Sequence, residues 1–585
     1  MDFTIKVGAA AGEGAFVTGK VLGKLFARGG YHVFGYPEYP SLIRGGHNSY
    51  QVRISDGTIE SPRRENNIIL VLNPDAYAFH IETLAKDGVI IVDKSFAPGK
   101  DERELALPIA DLIKEAGGDM RMKNTLLVGV TLGLVGYPLE MLEQLLEEIF
   151  GSKGEEVVNA NKRVARAGYE IGKDHKKWEI VPKGEPKYYI AGNEAAGLGA
   201  LSAGLRFYSG YPMTPASSLL HFLISKRGKL PLAVVQSEDE IAAINQAIGA
   251  AYAGVRAMTG SSGGGFALMT EAVGLAALAE IPLVVYLAQR TGPSTGMPTW
   301  TEQADLFQVL GASQGEFLRI VLAPTSIPEN YRLTGEALNL AEKYQVPVFV
   351  LVDKFLAESN ATLDSLPPIP IERGPIILED MEELPLMKRY PRYKDTETGV
   401  SPRPVPGVRG GYHIGTSYEH REDSFTTEDF DERKKQVDKR MRKLAHILNE
   451  SYPPIVEGNG RVAVVAWGSQ KGPVFEGAKK YKRIAFNWVY PLDKEKVKKA
   501  FEGVERIVVF ENNATGLFSK LLYMETGIKP DALVLKYTGR QFFPEQVEHA
   551  LEMLEEKDFQ SPDPIRYEED FEKYEFYAPW RYKVK

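Results

Sequence analysis

Cysteine is missing from all 585 residues. That absence excludes disulfides, a thiolate nucleophile and any iron–sulfur cluster held by the chain's own thiols. Histidine is scarce, with nine scattered copies and no HExxH or paired spacing, so no metal site is expected in this chain. No apolar run approaches the roughly 20 residues of a membrane span. The opening MDFTIKVGAAAGEG reads as a strand and a turn rather than an export signal. The expected location is therefore the cytoplasm, with no membrane partner. A basic surplus is lacking too: 70 Lys and Arg stand against 78 Asp and Glu, a net charge of −8, which argues against a nucleic-acid surface. What is present, 44% hydrophobic and 25% charged residues, describes a globular protein. The length is too great for one core and predicts roughly three or four domains.

Short apolar strands alternate with helical stretches. In residues 1–180, FTIKVGAA, HVFGYPEYP, NNIILVLNP, GVIIVDKS and TLLVGVTLGLVG read as buried strands, and GEGAFVTGKVLGKLFARGG as a glycine-rich turn opening an amphipathic helix. Such alternation implies a parallel sheet covered on both faces. The polar KDHKKWEIVPKGEPK marks a linker, and a second α/β unit is expected over residues 188–370. Residues 371–454 read as an inter-domain insert ending in a charged helix, FDERKKQVDKRMRKLAHILNE, and residues 455–585 as a third α/β unit.

Several stretches carry candidate chemistry. Gly8, Gly12, Gly14 and Gly19 follow the first strand and suit a phosphate at a helix N-terminus, although the spacing is not GxGxxG and packing alone also explains it. Arg44 and Asn48 lie in an expected loop, EYPSLIRGGHNSYQVRIS, readable as a tight turn or an anion-facing nest. In YPMTPASSLL, Pro212 and Pro215 flank Thr214; the stretch is either a helix entry capped by a hydroxyl or a rigidly presented hydroxyl at a site. In QSEDE, Asp239 and Glu240 suit a helix start, whereas Glu238, directly after the apolar strand, is expected to be the more buried carboxylate. Gly263, Gly264 and Gly265 permit backbone geometry closed to other residues, in a site or in a plain turn. Arg290 ends the strand IPLVVYLAQ, where open α/β sheets bind ligands, and its guanidinium is a fork for a carboxylate. Thr291 and Thr299 stand nearby in the same compact loop.

Together these stretches resemble the 2-oxoacid:ferredoxin oxidoreductases, specifically the fused gamma–alpha chain called the alpha subunit. The likeness spans nearly the whole chain: GEG and RGGHNSYQVRIS in a gamma-type α/β domain; GNEAAGLGA, YPMTPAS, QSEDE and QRTGPSTGMPT in a thiamine-diphosphate-enzyme pyrimidine-type α/β domain; TGVSPRPVPG in the insert; ENNATGLFSKLL and LKYTGRQF in a transketolase C-terminal-like α/β domain. The resemblance implies oxidative decarboxylation of a 2-oxoacid, with 2-oxoglutarate favoured weakly, to acyl-coenzyme A and CO2, with electrons passed to ferredoxin. It places Thr214 against substrate and cofactor, Glu238 on the aminopyrimidine ring, Arg290 on the 2-oxoacid carboxylate with Thr299 assisting, and Tyr211, Pro212, Gly263 and Gly264 beside the cofactor. Coenzyme A contacts are expected around Gly12, Gly14, Arg44 and Asn48. The family's GDG diphosphate motif is absent, as are cluster cysteines. A beta subunit is therefore expected to supply Mg2+, the diphosphate grip and a [4Fe–4S] cluster, in an alpha–beta or (alpha–beta)2 assembly. The rival readings are a non-catalytic scaffold or docking subunit, a nucleotide-binding dehydrogenase built on the first domain, and an indolepyruvate-type enzyme, whose cysteine-rich tail is not found here.

Overall fold

The computed structural model describes residues 1–42, 46–99, 101–385 and 388–567. Eight strands make the first sheet. Asp2–Ala10 lies inside it, parallel to Asn66–Val71 and antiparallel to His47–Ser55. The all-parallel expectation fails at this point: His32–Glu38 and His47–Ser55 pair antiparallel, because no helix intervenes to carry the chain back. Asn48, expected in a loop, stands in the His47–Ser55 strand opposite Ala9. The far edge of this sheet is built by Asn360–Leu363 and Tyr188–Ala191, from much later in the chain.

A second correction concerns TLLVGVTLGLVG, which is the helix Lys123–Leu134 rather than a strand. Every residue from Leu126 to Leu134 is buried, so neither a 2.0 nor a 3.6 period is visible, and an apolar run alone does not separate the two states. Glycine decides it. Gly129 and Gly133 let this helix press against the helix Glu155–Asp174, whose Gly168 and Gly172 return the contact. A Cβ on Gly168 would lie 2.2 Å from the Leu126 carbonyl oxygen.

The second sheet has seven strands, six parallel. Leu283–Gln289 and Pro347–Asp353 are buried throughout, the mark of a parallel sheet covered on both faces. Leu283–Gln289, Ala257–Ser261, Phe207–Gly210 and Ala233–Gln236 are neighbours in that order. Because they run parallel, the segments after them (QRTG, SSGGG, YPMTP and QSEDE) emerge at one edge of the sheet. The outer strand, Trp488–Tyr490, comes from the C-terminal part of the chain and pairs antiparallel with Ile320–Leu322.

Helix Phe430–Glu450 ties the insert to this unit through charge. Lys439 and Lys443 reach Glu280 at 2.5 and 2.6 Å, and all three side chains are sealed from solvent. A third sheet of six strands spans Ile455–Arg566. In ENNATG, Glu511 accepts the Phe518 and Ser519 backbone N–H groups, each at 2.8 Å, and so caps helix Leu517–Thr526. Arg53 on the first sheet pairs with its neighbour Asp2 at 2.6 Å and with Glu476, on the helix Lys471–Gly477 of the C-terminal unit, at 2.5 Å.

Candidate active site

The YPMTP loop follows strand Phe207–Gly210 and is held from behind. Asn193 donates to the Pro215 carbonyl at 2.8 Å, and Tyr286 donates to Asn193 Oδ1, also at 2.8 Å. Asn330 in turn donates to the Tyr286 hydroxyl at 3.1 Å. All four members of this relay are buried, where an unmade hydrogen bond costs about 1–3 kcal/mol, so the loop has one place to be. The sequence reading missed Asn193. Its signal was a lone amide near the start of the small-residue helix Gly192–Ser202, a position normally left to solvent. On the open side the Thr214 carbonyl accepts from Arg290 Nη1 at 2.8 Å. Pro212 is partly buried and Tyr211 is 40% exposed.

QSEDE requires a correction. Glu238 is exposed and the buried carboxylate is Glu240, 3% exposed. Strand Ala233–Gln236 ends before Ser237, and the chain swings outward through Glu238 before helix Glu240–Tyr252 brings it back. Asp239 caps that helix by accepting the Ala242 N–H at 2.7 Å. Glu240 then falls on the same helical face as the buried Ala243, Ile244 and Ala247. Its Oε1 is enclosed without a hydrogen-bond partner. Gly265 faces it, and a Cβ there would lie 2.4 Å from Glu240 Oε1. Gly263, Gly264 and Gly265 do not form a turn but open helix Gly263–Leu278. Their value is room, since a Cβ on Gly263 would lie 2.4 Å from Asp305 Oδ2.

Arg290 lies at the end of strand Leu283–Gln289, on a cleft of ≈ 740 Å³ also lined by Met213, Gly263, Gly264, Glu302 and Asp305. Arg290 is half-buried, makes no ion pair among the described residues, and its Nε has no hydrogen-bond partner. Burial lowers its pKa and the nearby Asp305 opposes that shift. Both acids were missed by sequence reading, because TEQAD looks like ordinary loop polarity. Burial pushes the Glu302 carboxyl up to about 7. It pushes Asp305 up to about 6 against the pull of Arg290. Thr299 is buried with an unpartnered Oγ1 but does not line the cleft. Thr291 is spent on structure, donating to the Thr301 carbonyl at 3.3 Å.

The N-terminal candidates gather elsewhere. Gly12 and Gly14 have φ of +95° and +93°, a region that favours glycine. Their turn meets the start of the His47–Ser55 strand, with the Ala11 N–H donating to the Gly46 carbonyl at 3.2 Å. Glu13 fills part of this turn, accepting from the Ala10 N–H at 2.8 Å and from Asn73 at 2.7 Å. Arg44 lies outside the described residues. This edge reaches the cleft loop: the His47 and Phe79 rings are 4.8 Å apart, and Phe79 packs on Trp300.

Two family models match. Residues 4–171 match the pyruvate ferredoxin/flavodoxin oxidoreductase model, and residues 198–439 match the thiamine-diphosphate-binding model of pyruvate flavodoxin/ferredoxin oxidoreductase. The class is thus that of the ferredoxin- and flavodoxin-linked 2-oxoacid oxidoreductases. A 2-oxoacid:ferredoxin oxidoreductase subunit alpha from Sulfolobus is 31% identical, covering 93% of this chain and 96% of the relative. The 2-oxoglutarate oxidoreductase subunit KorA of Mycobacterium tuberculosis is 29% identical, over 82% of this chain and 80% of its own. Among solved structures, the 2-oxoglutarate:ferredoxin oxidoreductase of Magnetococcus marinus, with 2-oxoglutarate, coenzyme A and succinyl-CoA bound, superposes with a TM-score of 0.87 at 31% identity, over 94% of this chain and 99% of that one. This chain belongs to the 2-oxoacid:ferredoxin oxidoreductase alpha-subunit family.

Proposed function

We propose that this chain is the substrate-reading subunit of an enzyme that oxidatively decarboxylates a 2-oxoacid to acyl-coenzyme A and CO2 and passes the electrons to ferredoxin. The observation that carries this reading is Arg290: a half-buried guanidinium with no ion pair among the described residues, at the end of a central parallel strand, on an open cleft. A 2-oxoacid carboxylate suits it, through charge-assisted hydrogen bonds of about 1.5–3 kcal/mol each. Thr214 sits on the loop that Arg290 and Asn193 both grip, so its hydroxyl is suited to orienting the substrate. Thr299, expected to assist Arg290, is buried off the cleft lining and is not assigned a substrate contact.

Thiamine diphosphate, when bound, supplies the carbon nucleophile and electron sink for decarboxylation. The residues present fit its aminopyrimidine end: Glu240 offers an enclosed carboxylate oxygen without a partner, and Gly265 leaves space beside it. Glu240, rather than Glu238, is therefore assigned to hold the ring nitrogen and to favour the tautomer needed for activation. Gly263 and Gly264 allow close backbone approach on the cleft wall, and Pro212 and the exposed Tyr211 border the same edge. Coenzyme A is assigned to the edge formed by Gly12, Gly14 and Asn48, which abuts Trp300 through Phe79; Arg44 belongs to the same proposal. With no cysteine in the chain, the [4Fe–4S] cluster is assigned to a beta subunit, together with Mg2+ and the diphosphate grip, in a cytoplasmic alpha–beta or (alpha–beta)2 complex. The division into residues 1–180, 188–370, 371–454 and 455–585 is proposed to separate the gamma-type, pyrimidine-type, insert and transketolase C-terminal-like parts.

Arg290→Lys tests the assignment in the complex with its beta subunit. Lysine does not reproduce the planar fork, so kcat/KM is expected to fall about tenfold or more for every 2-oxoacid, because the shared carboxylate is the target. An unchanged kcat/KM refutes the role.

A further inference from the structure

The loop that begins at Arg290 and ends at Asp305 has two sides. Its front, from Gly292 to Met297, is exposed and puts Gly292, Pro293, Ser294 and Thr295 on the cleft wall. Its back, from Thr299 to Gln303, is buried, and the C-terminal unit supplies partners for it. Strands Val462–Trp467, Arg506–Glu511 and Ala532–Leu535 run parallel there, so the segments that follow them emerge at one edge of the third sheet. In open α/β sheets that edge is where ligands bind. Here the back of the cleft loop occupies it.

Gln303, 1% exposed, is committed at every polar atom. Its N–H donates to the Asn512 carbonyl at 2.7 Å, and its Nε2 donates to the Trp467 carbonyl at 3.0 Å. Its carbonyl accepts from Asn513 Nδ2 at 3.2 Å, and its Oε1 accepts the Asn512 N–H at 3.4 Å. Two positions earlier the Thr301 N–H donates to the Gly539 carbonyl at 3.0 Å. Asn513 is fixed in turn, its Oδ1 accepting the Gly516 N–H at 2.8 Å and its Nδ2 also donating to Glu511 at 2.9 Å. Buried polar groups settle where all their bonds are made, so the loop takes its place from ENNATG and its neighbours.

We propose that Gln303 and Asn513 are positioning residues through which the C-terminal unit sets the cleft loop, and with it Arg290, for the 2-oxoacid. Their role presupposes the substrate contact proposed for Arg290. The link is short. The Thr291 N–H, next to Arg290, donates to the Trp300 carbonyl at 3.1 Å, and the Asp305 N–H donates to Gln289 Oε1 at 2.9 Å. A displaced back therefore pulls on the residues either side of Arg290.

The test uses the complex with its beta subunit. Gln303→Met keeps the shape and removes both side-chain bonds; Asn513→Ser leaves a hydroxyl in the turn that is too short to reach the Gln303 carbonyl. Each is expected to raise KM for 2-oxoglutarate about tenfold while kcat stays within about threefold. Ser519→Ala is the stability control. It deletes the 2.6 Å bond to Glu511 in the same turn without touching the loop, and should lower the melting temperature and leave KM unchanged. Because the effect runs through Arg290, the penalty of Gln303→Met should shrink to about twofold or less in an Arg290→Lys background. An unmoved KM, an equal rise in Ser519→Ala, or a penalty that persists in full beside Arg290→Lys overturns the proposal. If Gln303→Met fails to fold, Asn513→Ser decides by the same criteria. Arg290→Lys alone separates the two readings. If it lowers kcat/KM and the loop variants do not raise KM, only this inference fails. If it changes nothing, the cleft is not the substrate site and the proposed function fails.

Discussion

Glu238 and Glu240 stand two residues apart with opposite surroundings, one exposed and one enclosed. Glu240→Gln keeps the shape and removes the charge; it should cost at least about a hundredfold in kcat, the usual scale for a positioned acid–base group, with the melting temperature retained. Glu238→Gln should leave the rate close to wild type and shift stability by no more than about 0.5 kcal/mol. Steady-state turnover of both variants, beside a thermal melt, decides between them; a reversed order returns the role to Glu238. Glu302 makes a separate prediction about pH. Its folded pKa, about 7, lies above the ordinary glutamate value of 4.5 because burial disfavours the charge. A raised carboxyl leaves folding stability intact below the unfolded pKa and erodes it as pH climbs through the folded one. Glu302→Gln should therefore melt progressively higher relative to wild type as pH rises from about 5 to 7.5. A melting difference independent of pH would contradict the shift.

Among elements, the pair Lys123–Leu134 and Glu155–Asp174 depends on backbone-to-backbone approach. Gly168→Ala would place a methyl carbon 2.2 Å from the Leu126 carbonyl oxygen, and no rotamer relieves a clash between a Cβ and a main chain. The helices must part, at a cost of about 1–3 kcal/mol. Gly151→Ala is the control, since nothing lies within 4 Å of its added methyl. Chemical denaturation of the two variants should show a lower midpoint for Gly168→Ala alone. The same pair explains why residues 125–136 misled as sequence: wholly buried helices and central strands are both continuous apolar runs, and the glycine spacing made sense only once its partner helix was known. Strands such as IPLVVYLAQ and VPVFVLVD were legible because they are short, β-branched and bounded by breakers.

For the whole molecule, the insert is secured by buried charge rather than by apolar area alone. Burial would raise the Glu280 carboxyl, but Lys439, Lys443 and Arg392 outweigh it and hold it well below the ordinary range. Glu280→Gln deletes the anion and leaves two ammonium groups enclosed, a loss of about 3–5 kcal/mol. Thermal melts should show that loss, and limited proteolysis should cut earlier within residues 371–454. A melt equal to wild type would mean that the cluster contributes nothing net. Long-range joints of this kind were not legible in the sequence. Nothing local in Arg53 or Glu476, 423 positions apart, announces a pair, and edge strands such as Tyr188–Ala191 and Trp488–Tyr490 cross from one unit's sequence into another's sheet.

The sequence by itself determined the α/β alternation, the four motif loops that follow parallel strands, Arg290 at a strand end, and a chain without thiols for a cluster. These are local properties, set by side-chain period, by proline and glycine, and by composition. Only the tertiary structure decided which glutamate is enclosed, that Asn193 braces the Thr214 loop, and that Glu302 and Asp305 share a cleft with Arg290. Enclosure and charge environment arise from what packs around a residue, and that packing is contributed by segments tens to hundreds of positions away.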